Sequence, residues 1–159
     1  MAVEIERKFL LLDDSWREQV SSETVMRQGY FAGPDLHQPR ASIRVRIENQ
    51  HASLNIKSYE LSISRQEYEY EIALDDAEKM LDTLCEKPLI EKTRYQVATP
   101  NHIWEIDVFE GDNDGLIVAE IELANENEQF EKPVWLGKEV SDDPRYYNVS
   151  LIKHPFKDW

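Results

Sequence analysis

The stretch that decides how the rest of the chain is interpreted is Glu4-Ile5-Glu6-Arg7-Lys8-Phe9. Successive side chains along a β-strand point to opposite faces of the sheet. A strand here therefore places Glu4, Glu6 and Lys8 in one row, while mostly apolar residues lie in the other. This alternation is typical of a half-buried strand, although the charged row is unusually dense. One such row could simply face water, so its meaning depends on whether the pattern recurs.

The composition limits the class of protein. A chain of 159 residues, 41% of them hydrophobic, is sufficient for one domain with its own core, and we expect a single domain over residues 1–159. The 32 acidic and 18 basic residues give a formal net charge of −14, which disfavours partners such as nucleic acid or an anionic membrane. The single cysteine excludes an internal disulfide. The N-terminus lacks a signal-peptide pattern, and no apolar run approaches the roughly 20 residues of a membrane span, so we expect a cytoplasmic protein.

The alternation of charged and apolar residues recurs along the chain and predicts about eight strands. These strands are predicted at about residues 3–12, 23–31, 43–48, 53–58, 65–72, 92–97, 103–109 and 117–123. Asn101-His102 lies between two of them and predicts a hairpin turn, and Gly33 to Pro39 predicts a loop. Neither an internal repeat nor a linker divides the chain.

Three helices are predicted between and after these strands. The first is short and begins near Asp13, with Trp16 and Val20 on one face. The second has Asp75 as its N-cap, with an acidic residue three positions later. Its predicted buried stripe consists of Met80, Leu81, Leu84 and Cys85. The third begins at Pro144, because proline is favoured at the first helical position, and runs to about residue 153.

The charged rows have two simple explanations besides a functional one. They could face water on one side of an antiparallel sheet, or they could pair across strands, worth about 0.2–1 kcal/mol for each pair. Both explanations weaken when the strands are taken together, because the rows are nearly pure Glu, Arg and Lys and separate by sign. Basic pairs fall at positions 44/46 and 92/94, and acidic pairs at 4/6, 105/107 and 120/122.

A closed barrel accounts for these rows better than an open sheet. Closure removes the unpaired backbone groups of the edges, and about eight strands enclose an interior. We therefore predict an α+β fold: a closed eight-stranded antiparallel β-barrel, or tunnel, with charged rows inside, helices packed outside and a C-terminal helix. Buried unpaired charge is costly, so this interior requires a ligand. Clustered Arg and Lys suit phosphate oxygens, and clustered carboxylates suit a hard divalent ion, so a metal-bound polyphosphate meets both demands.

The ordered set of charged motifs resembles that of the CYTH domain, the domain of the triphosphate tunnel metalloenzymes. The set begins with Glu4-x-Glu6-x-Lys8 near the N-terminus. The motifs that follow, in the family's order, are Arg44-x-Arg46, Lys57, Arg65-x-Glu67-x-Glu69, Lys92-x-Arg94 and Glu120-x-Glu122. Gly137–Ser141 and Arg145–Asn148 are similar to the family's C-terminal segment. Any one motif is weak, but the ordered set covers nearly the whole chain.

The resemblance implies a tunnel enzyme that acts on a triphosphate with Mg²⁺ or Mn²⁺. The implied metal ligands are Glu4, Glu6, Asp107, Glu120 and Glu122. The implied triphosphate-binding residues are Lys8, Arg44, Arg46, Lys57, Lys92 and Arg94. The predicted catalytic residues among these are Glu4, Glu6 and Lys92. Further residues expected to line the tunnel are Tyr30, Arg65, Glu67 and Glu69, although a packed aromatic is an equal alternative for Tyr30.

The predicted reaction is metal-dependent hydrolysis of a triphosphate, with inorganic tripolyphosphate giving diphosphate and phosphate. The compact chain has no separate stretch for reading adenine or thiazolium, which favours this substrate. The enzyme alternatives are a class IV-type adenylyl cyclase and a thiamine triphosphatase. The alternative outside catalysis is a polyphosphate-binding module. We expect a monomer or a homodimer, and Glu105 is predicted to be a surface or paired carboxylate rather than a metal ligand.

Overall fold

The computed structural model describes residues 2–31, 41–58 and 62–159. The loop predicted from Gly33 to Pro39 lies outside these residues. The described strands are β1 (Ala2–Leu11), β2 (Val20–Tyr30), β3 (Ala41–Glu48), β4 (His51–Ser58), β5 (Ser64–Ile72), β6 (Ile90–Ala98), β7 (Ile103–Phe109), β8 (Ile117–Glu122) and β9 (Leu136–Glu139). The α-helices of the same ranges are α1 (Leu74–Thr83) and α2 (Asn148–Lys153). None of the helices in the described part of the chain has the length and hydropathy needed to span a bilayer.

The strands form one antiparallel sheet that closes on itself, as predicted. Neighbouring strands follow the order β5-β4-β3-β2-β6-β7-β8-β1, and β1 also pairs with β5. β5 pairs with β1 only from Ala2 to Ile5. Further along β1, Phe9 pairs with Glu139 of β9. The sequence did not predict this ninth strand, which takes over the edge of β1 where β5 ends.

Many apolar side chains of the barrel strands point outward, where helices and the segment around Trp135 cover part of them, while others such as Tyr70 stay exposed. One outer cluster surrounds Trp16, Trp104 and Trp135, all of which are completely buried. A second outer cluster packs Val45 of β3 against Leu81 of α1. Fully burying a large apolar side chain stabilises a fold by about 1.5–3 kcal/mol. The hydrophobic core of this molecule therefore lies largely outside the barrel, and its interior is left to charged residues.

A third apolar cluster lies at one end of the barrel and contains α2. Leu151 and Ile152 of α2 pack there with Ile90, Phe109 and Val118. Each of these three strand residues is an even number of positions from the inward-facing charged residues of its own strand, so its side chain faces inward. Helix α2 therefore packs across one end of the barrel interior.

Two of the predicted helices differ from the structure at their ends. The first is a 3-10 helix, Ser15–Gln19, because Val20 already begins β2. Helix α1 begins at Leu74 with no side-chain cap, so the predicted Asp75 N-cap was wrong. Asp75 instead lies in the first turn, where a carboxylate interacts favourably with the helix dipole. The prediction that Leu84 is buried was also wrong: the helix ends before it, and Leu84 is 56% exposed.

The predicted C-terminal helix is interrupted in the structure. Pro144–Tyr146 forms a 3-10 turn, and the Asp143 side chain accepts a hydrogen bond from the backbone N–H of Arg145. Tyr147 then adopts an extended conformation, with φ −75° and ψ 133°, before α2 begins at Asn148. The interruption turns the chain so that α2 enters the end of the barrel.

Candidate active site

The inner wall of the barrel surrounds a cavity of about 340 Å³. Every predicted site residue except Asp107 lines this cavity. The lining residues that were predicted are Glu4, Glu6, Lys8, Tyr30, Arg44, Arg46, Lys57, Arg65, Glu67, Glu69, Lys92, Arg94, Glu120 and Glu122. Residues distant in sequence thus meet around one cavity, because side chains alternate between the two faces along each strand and the sheet closes into a barrel. Their individual roles remain predictions.

Lys8 is the centre of a buried ion cluster on the β1–β8 side of the cavity. Its Nζ donates to Glu6 Oε1 at 2.8 Å and to Glu120 Oε1 at 2.6 Å. Burial works against the charged ammonium, but the neighbouring Glu120 and Glu6 carboxylates more than offset it and raise the pKa of Lys8. The pKa of Glu120 is held well below its usual value despite its burial, by Lys8 and Arg94. Both groups therefore remain ionised inside the barrel.

Asp107 is completely buried in the barrel wall, beside the Lys8 cluster, and binds the cations of Lys92 and Arg94. Its Oδ2 accepts from Lys92 Nζ at 2.6 Å, and its Oδ1 accepts from Arg94 Nε at 2.7 Å. A second Arg94 nitrogen donates to Oδ2 at 2.8 Å. Since both oxygens are engaged by cations, the structure gives Asp107 the geometry of a residue that orients Lys92 and Arg94 toward the cavity.

Lys92 and Arg94 differ in how they hold their charge. Burial lowers the pKa of Lys92 to about 8, with Asp107 opposing this effect and Arg94 adding to it. Burial also works against the Arg94 guanidinium, but Asp107, Glu120 and Glu105 raise its pKa well above the usual value. Glu105 lines the cavity and accepts from Arg94 Nη1 at 3.1 Å, so it is a paired carboxylate, while the prediction that it is not a metal ligand stays a prediction.

The arginines of β3 are less well compensated. Arg44 is 91% buried, since only 9% of its surface is exposed, and its Nε has no hydrogen-bond partner among the described residues. Arg46 Nε lies 2.8 Å from Glu48 Oε1, but the angle is too poor for a hydrogen bond, so Nε remains unpartnered in the same part of the chain. Burial, followed by the adjacent Arg44 charge, lowers the pKa of Arg46. This side of the cavity favours an anion.

The carboxylates at the β1–β8 junction show the opposite imbalance. Lys57 Nζ donates to Glu4 Oε2 at 2.6 Å. The pKa of Glu122 is raised by burial and then by the negative charges of Glu4, Glu6 and Glu67. A cation bound at Glu122 would relieve this repulsion.

A divalent metal fits the chemistry of this acidic group. No three acidic or histidine side chains of the described ranges stand together as a ready-made metal site. The residues that could hold an ion are Glu4, Glu6, Glu120 and Glu122, all of which offer carboxylate oxygens, the ligand type that Mg²⁺ and Mn²⁺ prefer. The repulsion around Glu122 supports this fit.

Several lining residues were not predicted. Ser42 and Asn55 lie in the inward phase of β3 and β4. The alternation along these strands is therefore the signal that places them in the lining, although they are neutral and do not belong to a charged row. The segment 147–149 also contributes to the lining. Its first two residues belong to the stretch that resembles the family's C-terminal segment, but no sequence pattern predicted that they line the cavity. Tyr30 satisfies both predictions for it, since it packs in the apolar cluster at the barrel end and also lines the cavity.

Comparison with known proteins gives consistent matches along the chain. The family model described as CYTH domain matches residues 2–152. An inorganic triphosphatase of Acetivibrio thermocellus is 45% identical over 160 residues, which cover 100% of this chain and 99% of the relative. An inorganic triphosphatase of Nitrosomonas europaea is 37% identical over 151 residues, covering 93% and 95% of the two chains. The crystal structure of the inorganic triphosphatase NE1496 has a TM-score of 0.65 and 34% identity, covering 96% of this chain and 95% of that one.

Proposed function

The chain belongs to the CYTH domain family, and we propose that it is an inorganic triphosphatase that hydrolyses tripolyphosphate to diphosphate and phosphate inside its barrel. Two relatives called inorganic triphosphatase, 45% and 37% identical, support this reaction. The observation that carries the proposal is the double imbalance of the cavity. The buried Arg44 has an Nε without a hydrogen-bond partner among the described residues, while Glu122 lies among carboxylates. A triphosphate with its metal would satisfy both.

The basic residues of the cavity supply the triphosphate site. Arg44 and Arg46 reach it from β3, and Lys92 and Arg94 from β6. Guanidinium groups donate forked hydrogen bonds to phosphate oxygens, while lysine acts as a compact point charge. Because β3 and β6 both flank β2, these cations form one basic region of the wall that can contact successive phosphates of one chain.

The acidic residues supply the metal site. Metal dependence is a trait of the family, and we propose that the ligands of a Mg²⁺ or Mn²⁺ ion are Glu4, Glu6, Glu120 and Glu122. The bound ion would neutralise phosphate oxygens and lower the pKa of a coordinated water. Lys8 bridges Glu6 and Glu120, which limits the rotation of both carboxylates. Asp107 was predicted as a further ligand, but we propose an orienting role for it because, unlike the four glutamates, it does not line the cavity and it accepts hydrogen bonds from Lys92 and Arg94.

The protein contributes mainly position and charge to the reaction. Phosphoryl transfer needs little covalent work from the protein and depends on alignment and on stabilising charge. The oxygen of a water attacks the terminal phosphorus, the bond to the bridging oxygen breaks, and diphosphate leaves with that electron pair. Glu4 or Glu6 accepts the proton of the water. Lys92, which is held by Asp107, stabilises the charge that develops on the departing oxygen.

Inorganic tripolyphosphate fits this cavity better than a nucleotide. In the described part of the chain the lining is almost entirely charged or polar, and its aromatic members are Tyr30 and Tyr147. A base would need an apolar or stacking surface, whereas a polyphosphate needs only charges and hydrogen bonds. We further propose that residues 1–159 act as one cytoplasmic domain, a monomer or a homodimer, without a nucleic-acid or membrane partner, which the net charge of −14 supports.

Two substitutions test the proposed function. Glu4→Gln and Glu122→Gln should each abolish metal-dependent phosphate release from tripolyphosphate, because each removes the negative charge of a proposed metal ligand while keeping the shape of the side chain. Glu91→Gln on the exposed face of β6 removes the same charge outside the cavity, and should leave turnover unchanged. Phosphate release is measured with Mg²⁺ and Mn²⁺ in turn, on tripolyphosphate, ATP, thiamine triphosphate and diphosphate. Near-wild-type turnover in both cavity variants would contradict the proposal.

A further inference from the structure

Lys92 is held by a residue of α2 as well as by the barrel wall. The Asn148 Oδ1 atom accepts from Lys92 Nζ at 3.2 Å and from Gln28 Nε2 at 3.0 Å. Lys92 Nζ also donates to Asp107 Oδ2 at 2.6 Å. An ammonium group has three N–H donors. Two of them are therefore engaged by acceptors from different elements, which leaves the third for the cavity that Lys92 lines.

Lys92 and Gln28 together fix which end of the Asn148 amide faces the ammonium. Gln28 is completely buried in β2, and its amide nitrogen donates to Asn148. If the Asn148 amide were reversed, its NH₂ group would face two donors, from Gln28 and from Lys92, and accept from neither. Since Lys92 can only donate, the Asn148 oxygen faces the ammonium, and Gln28 supplies a second donor that holds this oxygen in place.

Helix α2 holds Asn148 at this place by packing. Leu151 is completely buried and Ile152 nearly so, both in the apolar cluster inside the barrel end. On the other side, the Tyr147 hydroxyl donates to the Ser141 carbonyl oxygen at 3.0 Å. Since core packing and this hydrogen bond flank Asn148, its backbone position is well defined.

We propose that Asn148 is a positioning residue that holds the Lys92 ammonium in the orientation needed for catalysis. The inference rests on the proposed triphosphatase function. Without Asn148, the Lys92 ammonium would keep only its hydrogen bond to Asp107. The ammonium could then turn toward Asp107 and Arg94. The remaining cavity cations would still bind the triphosphate. The loss should therefore appear in kcat and leave KM nearly unchanged, as expected for an interaction that matters in the transition state.

The first test compares two substitutions of Asn148. Asn148→Leu keeps the volume but removes the acceptor, and should lower kcat for tripolyphosphate by about ten- to a hundredfold, as for a lost hydrogen bond to a charged group. Asn148→Asp keeps an acceptor oxygen in the same place and should retain most of the wild-type kcat. Lys153→Leu, an exposed position on the same helix, should retain full activity. Thermal unfolding of each variant shows whether the fold is intact.

A double-mutant cycle then separates positioning from a structural role. If Asn148 acts through Lys92, the double variant Lys92→Ala/Asn148→Leu should have nearly the same kcat as Lys92→Ala alone. Gln28→Leu, which removes the group that orients Asn148, should lower kcat in the same direction and decides the matter if Asn148→Leu does not fold.

Three outcomes would overturn the inference. An unchanged kcat in Asn148→Leu, or in Gln28→Leu where that variant decides, excludes a positioning role. An equal loss in the presence and in the absence of Lys92 shows a structural role alone. A wild-type protein that releases no phosphate from any triphosphate would overturn the proposed function and this inference with it, whereas an active wild type with an unaffected Asn148→Leu overturns this inference alone.

Discussion

The two sides of the cavity use charge in different ways. One side, which we call the paired wall, consists of Lys8, Lys92, Arg94, Asp107 and Glu120, all joined by hydrogen bonds between opposite charges. The other, which we call the unpaired wall, centres on the buried Arg44, whose Nε lacks a hydrogen-bond partner among the described residues. Its neighbour Arg46 forms ion pairs with Glu48 and Glu69, but its Nε also lacks a hydrogen bond in that part of the chain. The paired wall can keep its shape without a ligand. On the unpaired wall the buried charge of Arg44 is the one that a bound anion would compensate.

Asp107→Asn would break the paired wall and should have the largest effect on stability. Lys92 and Arg94 would remain buried while they lose their shared carboxylate, and removing one partner of a buried ion pair costs about 3–5 kcal/mol. The free energy of unfolding, from urea denaturation, measures this loss.

Glu69→Gln provides the matched control for the loss of Asp107. The Glu69 side chain is 49% exposed and lies 3.7 Å from Arg46, and an exposed pair contributes about 0–1 kcal/mol. If the two variants lose equal stability, the distinction between the walls is wrong.

Arg44→Met would test the unpaired wall. It removes a buried charge that the protein does not compensate, so the free energy of unfolding should stay the same or rise. Affinity for tripolyphosphate, measured by calorimetry, should fall about ten- to a hundredfold, as for lost charge-assisted hydrogen bonds. The control is Arg27→Met, at a residue on the outward face of β2. This variant should keep the wild-type affinity for tripolyphosphate. A marked loss of stability together with unchanged affinity would show that Arg44 serves the fold.

The smallest expected effect concerns an ion pair outside both walls. Arg7 Nε and Nη2 donate to the two carboxylate oxygens of Glu139 at 2.7 and 2.6 Å, which ties β9 to β1. The pair is partly exposed, so Glu139→Gln should destabilise the protein by about 0.5–1 kcal/mol at pH 7.

The same pair predicts a pH dependence with a definite sign. The hydrogen bond from Arg7 lowers the pKa of Glu139. A carboxyl whose pKa is lower in the folded than in the unfolded protein contributes its full stabilisation at pH values above the unfolded-state pKa, about 4.3. This stabilisation is lost as the pH falls through the folded-state pKa. The difference between wild type and Glu139→Gln should therefore shrink below about pH 4. A constant difference from pH 7 to pH 4 and below would contradict the assigned role of the pair.

The inner wall could be predicted from the sequence because its information is local. Strict alternation over seven or more residues, as in β5, determines which side chains share a face. Strand β9 was not predicted, because four residues are too few to show the two-residue alternation of a strand. Asn148 escaped because its place depends on the packing of Leu151 inside the barrel end, which only the closed sheet creates.

The division of charges into paired and unpaired walls also lay beyond the sequence. Alternation places Asp107 on the inward face, but its partners depend on the register that sets Arg94 opposite Asp107 across β6 and β7. Registers between strands are properties of the closed barrel. The sequence therefore indicated which residues meet, while the structure was needed to show which of them neutralise one another.

The central claim is that the opposite charges left uncompensated in the cavity bind a triphosphate with its metal and promote its hydrolysis. The most direct measurement is orthophosphate release from tripolyphosphate by the wild-type protein, with Mg²⁺ or Mn²⁺ and again after chelation of the metal. We predict steady turnover that yields one phosphate and one diphosphate for each tripolyphosphate, and none after chelation. Absence of phosphate release with both metals, or equal release after chelation, would contradict the account.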